Sequence, residues 1–381
     1  MNFSLTEEQE LAVDSFARFL QAEIRPIAER HKGEKIPKEA MQQALGLMLP
    51  FGLGNGLVAE ERGGLGLDEV TTGLLFEQLA MVSPDIAVMI LIQTEAGLLL
   101  EDAPEHLRQS HLAPLLNGDL MGCIGISEPD VGSNIAEIKT RARKDGDDWL
   151  INGEKCWISN GGYSDFIVLV AQAEQGEERG LALFLIDREM GYTTSDIEKM
   201  GLNDQSTAQV FLTDTRVPAD RMIVPPGQGL KRLMQLLQGG RPLLGLLAVG
   251  IARRALEESI RYAQDRKQFG KPLAANQLIQ ERLADMSMKI EASRLLLYQA
   301  LDRIHRGLRS DLQVAQAKLF ATEAAVDVTR HALAIHGGNG ITLEFPVQEL
   351  YRIAPILTVT EGTAEMQKLM IGRHLTGIPA F

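Results

Sequence analysis

The stretch TVTEGTAEMQ, Thr358–Gln367, sets one carboxylate, Glu361, directly before a glycine and just after an apolar run that contains a proline. A carboxylate there becomes a general base when the surrounding chain strips water from it. It is equally a plain helix-start acid, favoured by the macrodipole by roughly 0.3–1 kcal/mol, with Thr360 or Thr363 as the cap. Four other segments carry groups suited to chemistry. CIGISEPDVGSN (Cys123–Asn134) joins Glu128-Pro129 to a glycine and small polar residues, a loop that exposes N–H groups and hydroxyls as phosphate cradles do, although it lacks the Gly-Lys-Ser/Thr ending of a Walker A loop. KCWISNGG (Lys155–Gly162) alternates Trp157 and Ser159, which predicts an indole plane and a hydroxyl on one strand face. DRKQFGKPL (Asp265–Leu273) spaces Arg266 and Phe269 three apart, predicting a cation and a ring on one face of a helix end. IHGGNGIT (Ile335–Thr342) is flexible enough for a ligand to approach its backbone closely. Each has a plain reading as well: a turn, a core tryptophan, a solvated helix C-terminus, a loop.

Three blocks of chain must position these segments. Residues 1–118 show helical spacing, as in Leu11, Val13, Phe16, Phe19 and Leu20, broken at PFGLGNG and ERGGLG. Residues 119–226 change to short β-rich runs (DWLI, KCWIS, DFIVLVA, LALFLID), with Asn152-Gly153 predicting a two-residue hairpin between the first two. Residues 227–381 return to the helical period in four long segments, LKRLMQLLQ, LLGLLAVGIARRALEESIRYAQDR, LIQERLADMSMKIEASRLLLYQALDRIH and LQVAQAKLFATEAAVDVTRHALAIH, which read as a bundle. No repeat or long linker interrupts this order.

Composition narrows the function classes. A net charge of −13 over 381 residues argues against nucleic-acid binding, which needs a basic footprint, and asks any anionic substrate to find a local cation. Cys123 and Cys156 form no metal or redox motif, and so low a count suggests a reducing compartment. The start, MNFSLTEEQELAVDSF, is acidic and amphipathic, unlike a signal or transit peptide, and Ala87–Leu100 is too short and interrupted to span a bilayer. A cytoplasmic protein with no membrane insertion and no bound metal is expected.

Taken in order, EPxxGS, WIxNGG, RxQFG, GGNG and EGT resemble the acyl-CoA dehydrogenase family of flavoproteins over essentially the whole chain. The resemblance implies a mixed, mainly α fold: N-terminal helical domain, central β-barrel-like domain and C-terminal four-helix bundle. It implies FAD held between sheet and bundle in a homotetramer built as a dimer of dimers, or a homodimer. Ile126 and Ser127 then lie at the flavin ring, Ser133 near the pyrophosphate and substrate, Trp157 against the isoalloxazine and Ser159 near its N5. Arg266, Phe269, Gly337 and Gly338 would grip the adenylate portion from a neighbouring subunit, and Thr363 and Glu365 would meet the cofactor from the last helix. Glu361 becomes the base that takes the α-proton of an acyl thioester, Gly362 leaves room for the thioester carbonyl, and Arg241 joins Ser133 and Gly362 at the substrate. Some branches carry the base just before an Arg-Pro pair; here Gly240 stands there, which predicts an empty position and leaves Glu361 as the base.

The implied electron acceptor is an electron-transferring flavoprotein. Departures at Asn134, Gln238, Ala334, Ile353 and Thr360 bear on the acyl group and its carrier, so coenzyme A leads and an acyl carrier protein remains the alternative. An oxygen-using branch is a third reading, set back by the presence of Glu361. A non-catalytic scaffold is the remote one, set back because Glu361, Trp157, Arg266 and Phe269 are all retained. Pro84–Glu101 would line the acyl pocket. It carries no Arg or Lys where a glutaryl-specific branch has an arginine, Ala87 standing near that place, so an uncharged acyl tail is expected. Gln93, Thr94 and Glu95 are the polar groups on this wall, or else a solvated helix face.

Overall fold

A computed structural model describes residues 5–380; Met1–Ser4, at the head of the segment read as no leader, and Phe381 lie outside the described residues. The chain opens with helices α1 (Glu7–Phe19), α2 (Arg25–Arg30), α3 (Lys38–Met48), α4 (Glu69–Val82), α5 (Pro84–Leu100), α6 (Glu105–Leu107) and α7 (Ala113–Leu116). Thr6 and Gln9 close a capping box on α1, and Asp68 and Ser83 cap α4 and α5 by accepting from Thr71 N–H and Ile86 N–H. These side chains satisfy N–H groups that a helix start leaves without partners.

Helix α5 is apolar on every side, and all its residues but Ile92 and Leu98 are buried. That pattern belongs to a helix enclosed by other elements. Its first half packs in the core shared by the N-terminal helices and the bundle, and its second half against the sheet. The segment Gln93–Glu95 is therefore interior, not a solvated face. Gln93 shows how such a polar group is accommodated: its Nε2 donates to the carbonyls of Leu115 and Leu120, and its Oε1 accepts from Gly122 N–H.

Strands β1 (Gly122–Gly125), β2 (Arg141–Asp145), β3 (Asp148–Ser159), β4 (Phe166–Gln175), β5 (Glu178–Asp187), β6 (Thr193–Asp196), β7 (Thr207–Val217) and β8 (Met222–Val224) form one sheet in the order β6-β7-β3-β2-β4-β5-β8, with β1 parallel to β4. The hairpin expected at Asn152-Gly153 is absent, because β3 runs through it. Asn152 is held instead by Asp214 of β7, donating to its carboxylate and accepting from its N–H, while the register shifts between Ile151 and Gly153. A Cβ at Gly153 would overlap Thr140, so glycine serves a close approach there and not a turn.

Helix α8 (Gly229–Asp265) then runs 37 residues, followed by the small hairpin β9 (Lys267–Gln268) and β10 (Lys271–Pro272), α9 (Gln277–His305), α10 (Asp311–His336), α11 (Val347–Val359) and α12 (Ala364–Thr376). Two of the expected bundle segments are thus one helix, continuous through Gly239-Gly240-Arg241-Pro242. Proline in a helix interior clashes with the carbonyl four residues back, and the two glycines beside that carbonyl give the chain room to adjust. Glu77 of α4 ties the N-terminal helices to the bundle, accepting from Arg253, Arg294 and Tyr298. Among the described residues, no helix is long and apolar enough to cross a membrane.

Candidate active site

Six non-glycine residues have positive φ among those described, and three are Trp157 (65°), Phe269 (52°) and Glu361 (56°). Bulky residues avoid this region, and strain of this kind persists only where the surroundings enforce it. Three sequence-predicted site residues therefore sit on backbone that packing alone would not choose.

Glu361 lies between α11 and α12, not on a helix. Three side chains hold the turn. Arg241 Nε of α8 donates to the Glu361 carbonyl at 3.0 Å, Lys318 Nζ of α10 to the Gly362 carbonyl at 2.8 Å, and Gln367 Nε2 of α12 to the same carbonyl at 3.1 Å. Thr363 caps α12 by accepting from Met366 N–H, the role anticipated for it or for Thr360, whose hydroxyl instead donates back to the Ile356 carbonyl. Gly362 has φ 91°, and a Cβ there would meet Gln367 Nε2 at 3.0 Å. Gly362 is thus required by its own backbone and by its neighbour, and Arg241 is buried and turned toward the Glu361 main chain.

The backbone is tied down while the carboxylate is left free: Glu361 Oε2 is buried and has no hydrogen-bond partner. Burial pushes its pKa up, opposed by the charges of Arg241 and Lys318. Lys318 itself is pushed down to about 8 by burial. Sequence reasoning missed Lys318 and Gln367; the available signal was a single cation in the small-residue run VAQAKLFATEAA, where neighbours leave space for it to be enclosed. The position before Arg241 is also not empty. A Cβ on Gly240 would run into the carboxylate of Glu95 from α5, so a second acid occupies the space.

On the sheet, Trp157 is 61% exposed and lies within the register shift between Lys155 and Ile158 of β3, whereas Trp149 is the core tryptophan at 0%. Ile158 is buried and Ser159 half-buried, while the positive φ of Trp157 interrupts the strand alternation on which a shared face was expected. Beside them Cys156 N–H donates to the Ser127 carbonyl, and the half-buried Ile126 and Ser127 lead into the exposed Gly132, Ser133 and Asn134. This loop is locked from behind by Glu128, which accepts from Lys139 N–H, Thr140 N–H, the Thr140 hydroxyl and Lys155 Nζ. Burial opposes ionisation of Glu128, and these bonds still hold it below its usual range. Its part in shaping the loop was not legible in the motif.

Arg266 and Phe269 are not on one helix face. Helix α8 ends at Asp265, Arg266 is its extended cap, and Phe269, 96% exposed, sits at the β9–β10 turn. Gly337 and Gly338 are exposed beside this end of α8, where Asn339 Nδ2 donates to Tyr262 and His336 stacks on the same ring. Arg241 and Arg266 are separated by about 37 Å of helix axis. The structure thus brings Glu361, Gly362, Thr363 and Arg241 together, gathers Ile126, Ser127, Ser133, Trp157 and Ser159 along the sheet, and leaves Arg266, Phe269, Gly337 and Gly338 at the far end. Glu365 is exposed on the first turn of α12, its carboxylate held low by its own N–H and by Thr363. Of the departures, Gln238 donates to Ser310 and Ile353 is core against Gly201, while Asn134 and Ala334 are exposed.

The residues suit a flavin dinucleotide. The indole of Trp157 is exposed, and Gly132, Gly337 and Gly338 face open space where a Cβ would touch nothing within 4 Å. Comparison with known proteins agrees. The chain matches the acyl-CoA dehydrogenase N-terminal domain over residues 6–119, the middle domain over 123–215 and the C-terminal domain over 227–376. A probable acyl-CoA dehydrogenase of Bacillus subtilis is 37% identical across 98% of this chain and 100% of its own. Butyryl-CoA dehydrogenase from Megasphaera elsdenii superposes with a TM-score of 0.91 at 32% identity, covering 98% of this chain and 100% of that one. A glutaryl-coenzyme A dehydrogenase in complex with glutaryl-CoA gives 0.93 at 31% identity, covering 99% and 97%. With all three domains matched in order, the chain belongs to the acyl-CoA dehydrogenase family of FAD-dependent oxidoreductases.

Proposed function

We propose that this chain desaturates an acyl-CoA thioester between Cα and Cβ, with Glu361 as the acceptor of the α-proton. The observation that carries the reading is the Glu361 turn: strained backbone, carbonyls held by Arg241, Lys318 and Gln367, and a carboxylate oxygen left without a partner. A base so desolvated is stronger than one in water, and one so fixed loses little entropy in reaching its proton. FAD, when bound, supplies the acceptor for the β-hydrogen and its electron pair. Ile126, Ser127, Ser133, Trp157 and Ser159 would hold its ring end and the neighbouring phosphates, with Thr363 and Glu365 on the α12 side. Arg266, Phe269, Gly337 and Gly338 lie too far along α8 to serve the same cofactor molecule, which supports their acting on a second copy's FAD. Ser133 stays open to the substrate, while Arg241 serves it through the Glu361 main chain. Electrons then pass to an electron-transferring flavoprotein. Both cysteines are free and buried, which suits a reducing compartment, and we place the reaction in the cytoplasm.

The acyl tail is neutral in this reading. Helix α5 offers no Lys or Arg, and Glu95 adds a carboxyl to the wall, so a distal carboxylate would be buried without a cation, at a cost of several kcal/mol. Anaerobic bleaching of the flavin by neutral acyl-CoAs of about four to eight carbons, by glutaryl-CoA and by acyl-carrier thioesters tests both carrier and tail. Neutral CoA thioesters should bleach fastest; faster bleaching by glutaryl-CoA or by the carrier-bound acyl group would overturn the corresponding part.

A further inference from the structure

Two acids meet at Gly240. Glu95 is 4% exposed, and its Oε1 is buried without a hydrogen-bond partner, as is Glu361 Oε2. A Cβ on Gly240 would run into Glu95 Oε1, meet Glu95 Cδ at 3.2 Å and stand 3.6 Å from Glu361 Oε2. Glycine at this position makes the room in which the two carboxyls stand side by side.

The charges around them are unevenly shared. Helix α8 contributes Arg241 and α10 contributes Lys318, and both act on Glu361. Glu323 and Glu365 act on Lys318 from outside the pair. On Glu95 the one charge that bears is that of Glu361, which together with burial pushes its pKa well above the ordinary value. Two ionised carboxylates cannot both persist in such surroundings, and a proton on one of them relieves the repulsion. It settles where no cation competes with it.

We propose that Glu95 is a positioning residue of this site: it holds a proton at neutral pH and presents it to Glu361, so that the pair carries one negative charge and that charge stays on Glu361. The inference rests on Glu361 being the base. The proton on Glu95 has three consequences. It aims the free lone pairs of Glu361 by occupying one of them, it lets the base remain an anion in a buried site, and it gives the pair two ionisations where a lone glutamate has one.

Glu95→Gln preserves shape and a donor but cannot titrate. In the holoenzyme, the pH profile of the bleaching rate should show an acid limb, where Glu361 gains its last proton, and an alkaline change, where the shared proton is lost. The variant should keep the acid limb and lose the alkaline change. Thermal stability supplies a readout without substrate. A carboxyl whose folded pKa is raised contributes stability below the unfolded value of 4.5 that is lost as pH rises toward the folded value. The melting temperature of Glu95→Gln relative to the wild type should therefore climb by several degrees from about pH 5 to about pH 8. The wild-type-minus-variant infrared difference at neutral pH should also show a protonated-carboxyl band, since the band of Asp85, present in both, cancels. A pH-independent stability difference, or an unchanged band, would overturn the proposal. Should Glu361 prove not to be the base, bleaching by Glu361→Gln would reveal it, while the stability and infrared readouts would still report on the pair.

Discussion

At Glu361 the basic side chains nearby bond the adjacent main chain and leave the carboxylate without a cation of its own. Arg241 and Lys318 deliver their hydrogen bonds to carbonyls, and their charges only restrain the rise in pKa that burial imposes. A direct salt bridge to either would lower the proton affinity of the carboxylate, against the base role proposed for it. Glu361→Gln keeps the volume and removes the proton acceptor. Its FAD content and melting temperature should match the wild type while thioester-driven bleaching falls by at least about 10²-fold. Stopped-flow absorbance measures both rates, and bleaching at the wild-type rate would remove Glu361 from the mechanism.

Helix α5 does the most to join the parts, since its halves lie in two cores and its residue Glu95 reaches the site. Its first turn holds a second acidic group. Asp85, Asp204 and Glu349 offer carboxylate oxygens within 4.8 Å of one another, and burial followed by the charges of Asp204 and Glu349 pushes Asp85 up to about 7, against the hydrogen bond from Gln205 N–H. The sign follows from the raised value: stability is present below 3.8 and is lost as pH rises toward 7. Asp85→Asn keeps an oxygen for Gln205 N–H and removes the titration. The variant should be more stable than the wild type at pH 8, by up to about 4 kcal/mol, and nearly indistinguishable near about pH 3. Denaturant midpoints at the two pH values decide it; a constant offset would assign Asp85 a packing role alone.

Across the whole molecule, the length of α8 sets Arg241, which holds the Glu361 turn, about 37 Å of helix axis from Arg266. Phe269 is 96% exposed on a strained turn, and we propose that it acts on a second copy of the chain. Arg266→Ala and Phe269→Ala should therefore lose FAD and subunit association together, because a ligand bound only by the assembly stabilises it by mass action. Sedimentation of holo and apo protein provides the check, and variants whose assembly tightens with FAD as the wild type does would break the link.

Much of this was legible in the order of residues. Helical and β-rich blocks differ in period, the caps of α1 and α12 use local side chains, and Trp157, Ser159 and Glu361 could be named as chemical groups because their types and order carry information that folding does not alter. Local rules failed where distant chain intervened. Asn152-Gly153 reads as a turn until Asp214 claims the asparagine, and Gly240 reads as an absent side chain until Glu95 fills its place. Helix α8 crosses a Gly-Gly-Arg-Pro sequence that propensity alone would break, and Gly240, Arg241 and Pro242 are buried there by the surrounding elements. Lys318 looks like any helix lysine until α12 encloses it. Identity and order along the chain determine which groups are available; which of them lose water, and which carboxyl stands beside which, depends on contacts between residues from 44 to more than a hundred positions apart, and those exist only in the folded molecule.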